Sequence, residues 1–474
     1  MRRAIRLYSI LLLPLALFAP RGARISSPIG PQSAPATATA APAASASIPF
    51  DIRISPNPLF VRVGGTMPLA VTYPPPAGQF TFDYLQPDIF RWDEDAPGAL
   101  GVFARPGEWT AALVGTTRLY AETNALMPAR VFLRTGIDAT VAGAKAFAPS
   151  SGGEVVAPIG SKREAVAIYF PWFSERYVQP PARPRASEAW SALTPTIKPY
   201  DPQSEIVTEQ HIRMARDAGL DGFVISWFTN RRKFDWNYDE LFTPTLANFA
   251  RIGPLRGFKV YIHYESHMNL LQWPNGQPVP LATAAERAQA RLDAEADFAY
   301  LLGLLAPVEA NPAVFVYLAE WVGMTPADWK IVVDDTRRTY PTAVFYGGTY
   351  NLAYLAAFDG LYDFAAGYFP SEYDAFASMA AAVKKYGADK KFYATVTPGY
   401  DSTLFWGPSD LLIPRGDGTY YQMTWDKALA ASPDGVFVST WNEWGESSVI
   451  EPAKQYGYKY VDMTADNVVK LKAK

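Results

Sequence analysis

The sequence predicts an α/β protein: a (β/α)8 TIM barrel over residues 163–474, preceded by an all-β sandwich over 49–140. Three observations carry that expectation. Eight short apolar runs follow Arg163, and helix-like stretches separate most of them. Residues 49–140 instead hold short runs, several alternating in polarity, divided by Gly and Pro turns. The last apolar run, Gly435–Ser439, opens directly into Trp441-Asn442-Glu443-Trp444-Gly445-Glu446. A strand end of this kind is where an α/β barrel keeps its chemistry.

In chain order, Arg2, Arg3 and Arg6 precede an apolar run from Leu7 to Ala19. A basic start and a short apolar core read as a secretory signal over 1–25, with an uncleaved anchor as the alternative. At about thirteen residues the run is short for a membrane span. Residues 26–48 are almost all Pro, Ala, Ser and Thr. They cannot bury a core and are expected to be a solvated linker. The sandwich is expected from runs such as Phe50–Ile54, Leu59–Val63, Leu69–Tyr73, Phe80–Tyr84, Arg118–Ala121 and Arg130–Leu133. A second linker, rich in Gly, Ala and Ser, covers 141–162.

The barrel strands are expected at Ala165–Tyr169, Gly222–Trp227, Lys259–Tyr264, Ala313–Leu318, Val344–Tyr346, Gly360–Phe364, Lys391–Thr395 and Gly435–Ser439. The clearest helix is Ser204–Ala218, stopped by Gly219. Others are expected near Tyr238–Arg251, Ala284–Leu304, Pro326–Tyr340, Ser371–Tyr386, Thr419–Ala431 and Thr464–Lys472, and the link between the fifth and sixth strands is the least defined by the sequence. An open doubly wound sheet would use similar elements, but no Gly-x-Gly-x-x-Gly turn follows the first strand.

Composition narrows the function. Formal net charge is −3 and no basic run is visible, so a nucleic-acid partner is not expected. The chain has no cysteine, which removes disulfides, thiolate metal sites and a cysteine nucleophile. It has only three histidines, His211, His263 and His267. Aromatic residues make up 14%, a supply of flat faces that fills cores and also suits stacking on sugar rings.

The strand ends gather the candidate site. They read Tyr169-Phe170-Pro171-Trp172-Phe173, Ser226-Trp227-Phe228, His263-Tyr264-Glu265-Ser266-His267, Tyr317-Leu318-Ala319-Glu320-Trp321 and Thr397-Pro398-Gly399-Tyr400-Asp401. Rings and carboxylates on one rim suit a polyhydroxylated ligand. Glu443 and Glu446 flank a tryptophan after an apolar strand, where unpaired carboxylates would be costly. One is expected to hold its proton more tightly than the other, the division that glycoside cleavage uses. A surface helix turn with two charges is the bland alternative. His-x-Glu-x-His at 263–267 is not the His-Glu-x-x-His order of zinc proteases, and no metal or other cofactor is expected. His211 reads as structural. Glu320 and Asp401 read equally well as site residues or as caps and ion-pair partners.

The order Tyr169-Phe170-Pro171-Trp172, Asp201-Pro202, Val224-Ile225-Ser226-Trp227, Ile262-His263-Tyr264-Glu265, Val314-Phe315-Val316-Tyr317, Trp441–Glu446 and Ile450-Glu451-Pro452 resembles glycoside hydrolase family 99 and its family-99-like relatives. The resemblance spans about residues 163–462. It implies a retaining endo-acting α-mannosidase barrel without a metal. By it, Glu443 would take the proton from the sugar's own 2-hydroxyl as that oxygen attacks C1. Glu446 would protonate the leaving oxygen and then serve as base when water opens the 1,2-anhydro sugar. Tyr169, Trp227, His263, Glu265 and Tyr317 would be substrate-binding positions, and Trp172, Trp441, Asn442 and Trp444 join them as candidates. Gly445 and Trp441 stand where the characterised endo-mannosidases have His and Phe. That form is similar to relatives attached to polysaccharide-assembly glycosyltransferases, and an α-glucan or other surface polysaccharide would also fit. Val63–Leu69 resembles the opening of bacterial immunoglobulin-like domains. The expectation is thus a secreted or cell-surface bacterial α-glycosidase acting on polysaccharide or glycan, with transient membrane or cell-wall association through its N-terminus. A carbohydrate-binding protein that cleaves nothing is the alternative.

Overall fold

The computed structural model describes residues 53–474 apart from 56–58, 63–65, 74–82, 86–90, 95–100, 106, 113–114, 127–130, 143–162, 174–177, 180–182, 185–190, 198–199, 230–238, 275–276, 366–369 and 407–410. The expected signal segment, the linker after it and nearly all of the second linker lie outside the described residues.

The N-terminal part is all β. Arg53–Ser55, Ala70–Tyr73 and Asp83–Leu85 form one sheet. Leu59–Arg62, Val131–Ala142, Gly115–Leu126 and Arg91–Glu94 form a second, and Thr66–Pro68, Glu108–Ala111 and Gly101–Arg105 a third. Pairing is antiparallel except between Leu59–Arg62 and Val131–Ala142. Ile54, Leu59, Met67, Val71, Trp109 and Leu119 are buried there.

Eight parallel strands then close a barrel: β1 (Glu164–Tyr169), β2 (Gly222–Trp227), β3 (Lys259–Glu265), β4 (Ala313–Tyr317), β5 (Val344–Gly348), β6 (Gly360–Tyr362), β7 (Lys391–Val396) and β8 (Gly435–Val438). β8 pairs with both β7 and β1, which leaves no edge. All eight fall where the apolar runs predict. The principal helices are α1 (Glu205–Asp217), α2 (Asp239–Ile252), α3 (Ser266–Leu270), α4 (Ala284–Leu305), α5 (Pro326–Thr339), α6 (Phe376–Tyr386), α7 (Thr419–Ala431) and α8 (Lys459–Lys472). Their starts carry local signals: the Ser204 hydroxyl caps α1, and Thr283 with Glu286 forms a capping box on α4. Between β5 and β6 there is only a 3-10 turn, Leu352–Ala356. β3 runs one residue past the expected Tyr264, to Glu265, where Ser266 opens the short helix α3.

Alternation along each strand divides the side chains between barrel interior and helix layer. At the amino-terminal end of the barrel the Glu164 carboxylate accepts from the Tyr393 hydroxyl at 2.8 Å, the Tyr261 hydroxyl at 3.2 Å and the Lys259 ammonium. Burial would raise this carboxyl, but Lys259, the Tyr393 hydroxyl and Lys391 outweigh it and hold it below the usual range. Phe315, Tyr362 and Phe437 fill the next level, all fully buried. The interior at these levels is therefore a packed core, which makes the carboxyl ends of the strands the place to look for a site.

Candidate active site

At the carboxyl ends, rings from several strands meet. His263 lies 5.1 Å from Tyr317 and 5.9 Å from Phe364, centroid to centroid, and Tyr317 is 5.4 Å from Phe364. Phe170 reaches Phe364 at 6.5 Å and carries Trp172 against it at 4.4 Å. The ends of β1, β3, β4 and β6 thus share one wall of rings.

A compact polar group sits in that wall. The Glu265 carboxylate accepts from the Ser226 hydroxyl at 2.7 Å and bonds His263 Nδ1 at 2.9 Å. Its other oxygen is 3.8 Å from His267 Nδ1. Burial works to raise Glu265, yet His263, His267 and the serine hydroxyl more than offset it, so the carboxyl stays below its ordinary range. Burial lowers His267 to about 4 despite the pull of Glu265, so at neutral pH its ring is uncharged. Among the described residues no group of three or more His, Asp or Glu side chains could hold a metal ion.

Glu443 and Glu446 follow β8 and are only 6% and 8% exposed, which sets aside the surface-turn alternative. The loop that carries them is fixed on every side. Thr440 N–H donates to Ser448 O and Ile450 N–H to Thr440 O, so the loop folds back on its own start. Trp441 N–H donates to Ile168 O on β1, and Asp401 N–H to Glu446 O. The Thr440 hydroxyl accepts from Glu443 N–H at 2.9 Å. The Arg415 guanidinium donates to Ser447 O and Val449 O at 2.6 and 2.7 Å.

The expected binding residues divide in two. Trp172, His263, Glu265 and Tyr317 belong to the wall at the mouth. Tyr169, Trp227, Trp441, Asn442 and Trp444 pack elsewhere, against other parts of the chain. Tyr169 and Trp227 alternate with the inward Phe170 and Ser226, so they point to the helix layer. Tyr169 meets His211 of α1, and Trp227 stacks on Tyr264 beside Tyr300 of α4. Trp441 packs against His211 and Phe223 on the same side, and Trp444 sets its edge on Tyr200. The Asn442 carboxamide is spent on the chain: it accepts from Phe170 N–H at 2.7 Å and donates to Phe170 O and the Tyr200 hydroxyl. His211 is fully buried and bonds Tyr169 and Glu451. Glu320 accepts from Thr349 and Asn351, and Asp401 from Thr403, which gives both the role of local partner.

Sequence reasoning did not reach Phe364, Tyr200 or Arg415, which carry no local signal. It also passed over a carboxyl pair near the mouth. Asp363 follows β6, and burial together with Asp363 pushes Glu372 up to about 8.

Comparison with known proteins agrees with this architecture. The model of the family described as "Glycosyltransferase WbsX" matches residues 352–464, which run from the turn before β6 through Glu443 and Glu446 into α8. No curated protein matches. Among solved structures, the GH99 endo-α-mannosidase from Bacteroides thetaiotaomicron in complex with bis-tris-propane is similar, with a TM-score of 0.51 and 19% identity over 65% of this chain and 97% of that one. Another structure described as the GH99 endo-α-mannosidase from Bacteroides thetaiotaomicron gives a TM-score of 0.49 at 19% identity, covering 65% and 98%. A protein described as glycoside hydrolase-like gives 0.48 at 14% identity, covering 67% and 97%. The barrel has the (β/α)8 fold found in the first of these.

Proposed function

We propose that this protein is an exported glycoside hydrolase of the family-99-like kind, cleaving α-linked, mannose-containing or related polysaccharide with retention. The observation that carries the reading is the burial of Glu443 and Glu446 together after β8, in a loop held by backbone bonds to β1 and Asp401 and by the Arg415 guanidinium. In this reading the two nearly buried carboxylates share the work of acid and base. Glu443 takes the 2-hydroxyl proton, and Glu446 protonates the leaving oxygen and then activates water. Tyr317 and Trp172 supply ring faces for the sugar, while His263 and Glu265 supply its polar contacts. The basic, apolar N-terminus supports export, and the all-β part serves as an immunoglobulin-like spacer.

The test is incubation with α-mannan, yeast mannoprotein and α-glucans beside Glu446→Gln. The wild type releases oligosaccharide, and the variant loses on the order of 10²–10⁴-fold in rate. Equal release by both overturns the role of Glu446. A second reading has a specific support, the glycosyltransferase description of the matching family model over the glutamates. In it the sugar passes to an acceptor hydroxyl. Product that elongates an added oligosaccharide, with no free sugar released, favours transfer.

A further inference from the structure

Beneath the glutamate loop lies a chain of side chains that neither reading uses. The Tyr169 hydroxyl is 3.0 Å from His211 Nδ1, and His211 Nε2 is 3.1 Å from Glu451 Oε1. The Tyr200 hydroxyl donates to Glu451 Oε2 at 2.6 Å. Asn442 Nδ2 donates to Tyr200 at 3.1 Å, and the same carboxamide clamps both backbone groups of Phe170. All five side chains are fully buried.

One arrangement of protons satisfies every member. Tyr169 donates to His211 Nδ1, His211 donates from Nε2 to Glu451 Oε1, and Tyr200 donates to the other carboxyl oxygen while accepting from Asn442. Removing any one member leaves a fully buried donor or acceptor without its partner, which is costly. Burial, with the Glu451 charge next, raises Tyr169 and Tyr200 well above the ordinary tyrosine value, so both keep the protons this arrangement needs. The chain of bonds begins on β1 and α1 and ends at Asn442, the residue before Glu443.

We propose that Glu451, His211 and Tyr200 are positioning residues for the reaction at Glu443 and Glu446: they fix the orientation of Asn442, and through it the turn that carries both carboxylates. α1 is itself held from outside, since Gln210 donates to Pro68 O and Arg213 to Thr66 O of the N-terminal sheets. The network is therefore anchored at both ends.

The test has one readout that rests on the hydrolase reading and one that does not. Amide hydrogen exchange is followed over Trp441–Glu446 in the wild type, Tyr200→Phe and Glu451→Gln, with Thr283→Ala, which weakens the start of α4, as a control for general destabilisation. Tyr200→Phe keeps the ring and removes only the hydroxyl, so it serves if Glu451→Gln does not fold. The expected result is about tenfold faster exchange in that loop for both network variants and unchanged exchange there for Thr283→Ala. On a cleaved substrate, kcat falls ten- to a hundredfold while KM stays within about threefold. Loop exchange equal to the wild type, with only the melting temperature lowered, overturns the proposal and leaves a packing role. A wild type that cleaves no α-glycan overturns the hydrolase reading, and the exchange result still decides this one.

Discussion

His267 makes stability depend on pH in a way that can be worked from its surroundings. Its ring is buried between Trp273 and Tyr317, at 5.9 and 5.5 Å, and its Nδ1 stands 3.8 Å from Glu265. In the unfolded chain it takes up a proton near 6.5; in the fold, burial delays this to about 4, against the attraction of Glu265. Between those values the unfolded chain binds the extra proton, so stability is greatest above 6.5 and falls as the pH drops toward 4. The gap corresponds to about 3 kcal/mol, at ~1.4 kcal/mol per pH unit. With an unfolding entropy of ~2.1 cal/mol/K per residue over roughly 300 barrel residues, that is a Tm change of about 5 °C. Glu265 is also held low, so its own contribution is lost at still lower pH. The assay is thermal unfolding of the wild type and His267→Gln from pH 7.5 to pH 4.5. The difference in Tm between the two should shift by about 4 °C across that range, with the variant gaining relative to the wild type as the pH falls. Two melting curves that move in parallel would refute the reasoning.

Other perturbations have equally direct outcomes. Asn442→Leu strips partners from Phe170 N–H, Phe170 O and Tyr200; at about 1–3 kcal/mol for each buried group left unmade, the Tm should fall by at least several degrees in calorimetry. Gly435→Ala places a methyl 2.2 Å from the Tyr393 ring at the start of β8, and overpacking of about 1–3 kcal/mol should appear as a lower denaturation midpoint. Thr283→Ala removes the capping box of α4 and should cost about 1 kcal/mol in urea unfolding without altering any rate.

The barrel was legible because its strands are buried on both sides and so read as continuous apolar runs, separated by helices with ordinary caps. The N-terminal sheets were read less completely. Thr66–Pro68 and Glu108–Ala111 are short, and Arg91–Glu94 carries charge at three of four positions, so none stands out as a strand. At the site, the glutamate loop was visible as a motif, but the facing of each aromatic was not. Tyr169 and Trp227 look like their neighbours in the sequence; only the phase of the strand decides that Phe170 faces the mouth and Tyr169 the helix layer. Glu451 was noticed as part of Ile450-Glu451-Pro452, yet its partners His211 and Tyr200 lie about 240 and 250 positions away, beyond any local pattern.

The carboxylate of Glu164, tied to two phenols and an ammonium, turns what could have been a conduit into a cup. Nothing can thread through such a vessel. A long chain brought to it must be laid across the brim and lifted off the same way, so the surfaces that grip it are to be sought on the loops around the opening and not along the axis below.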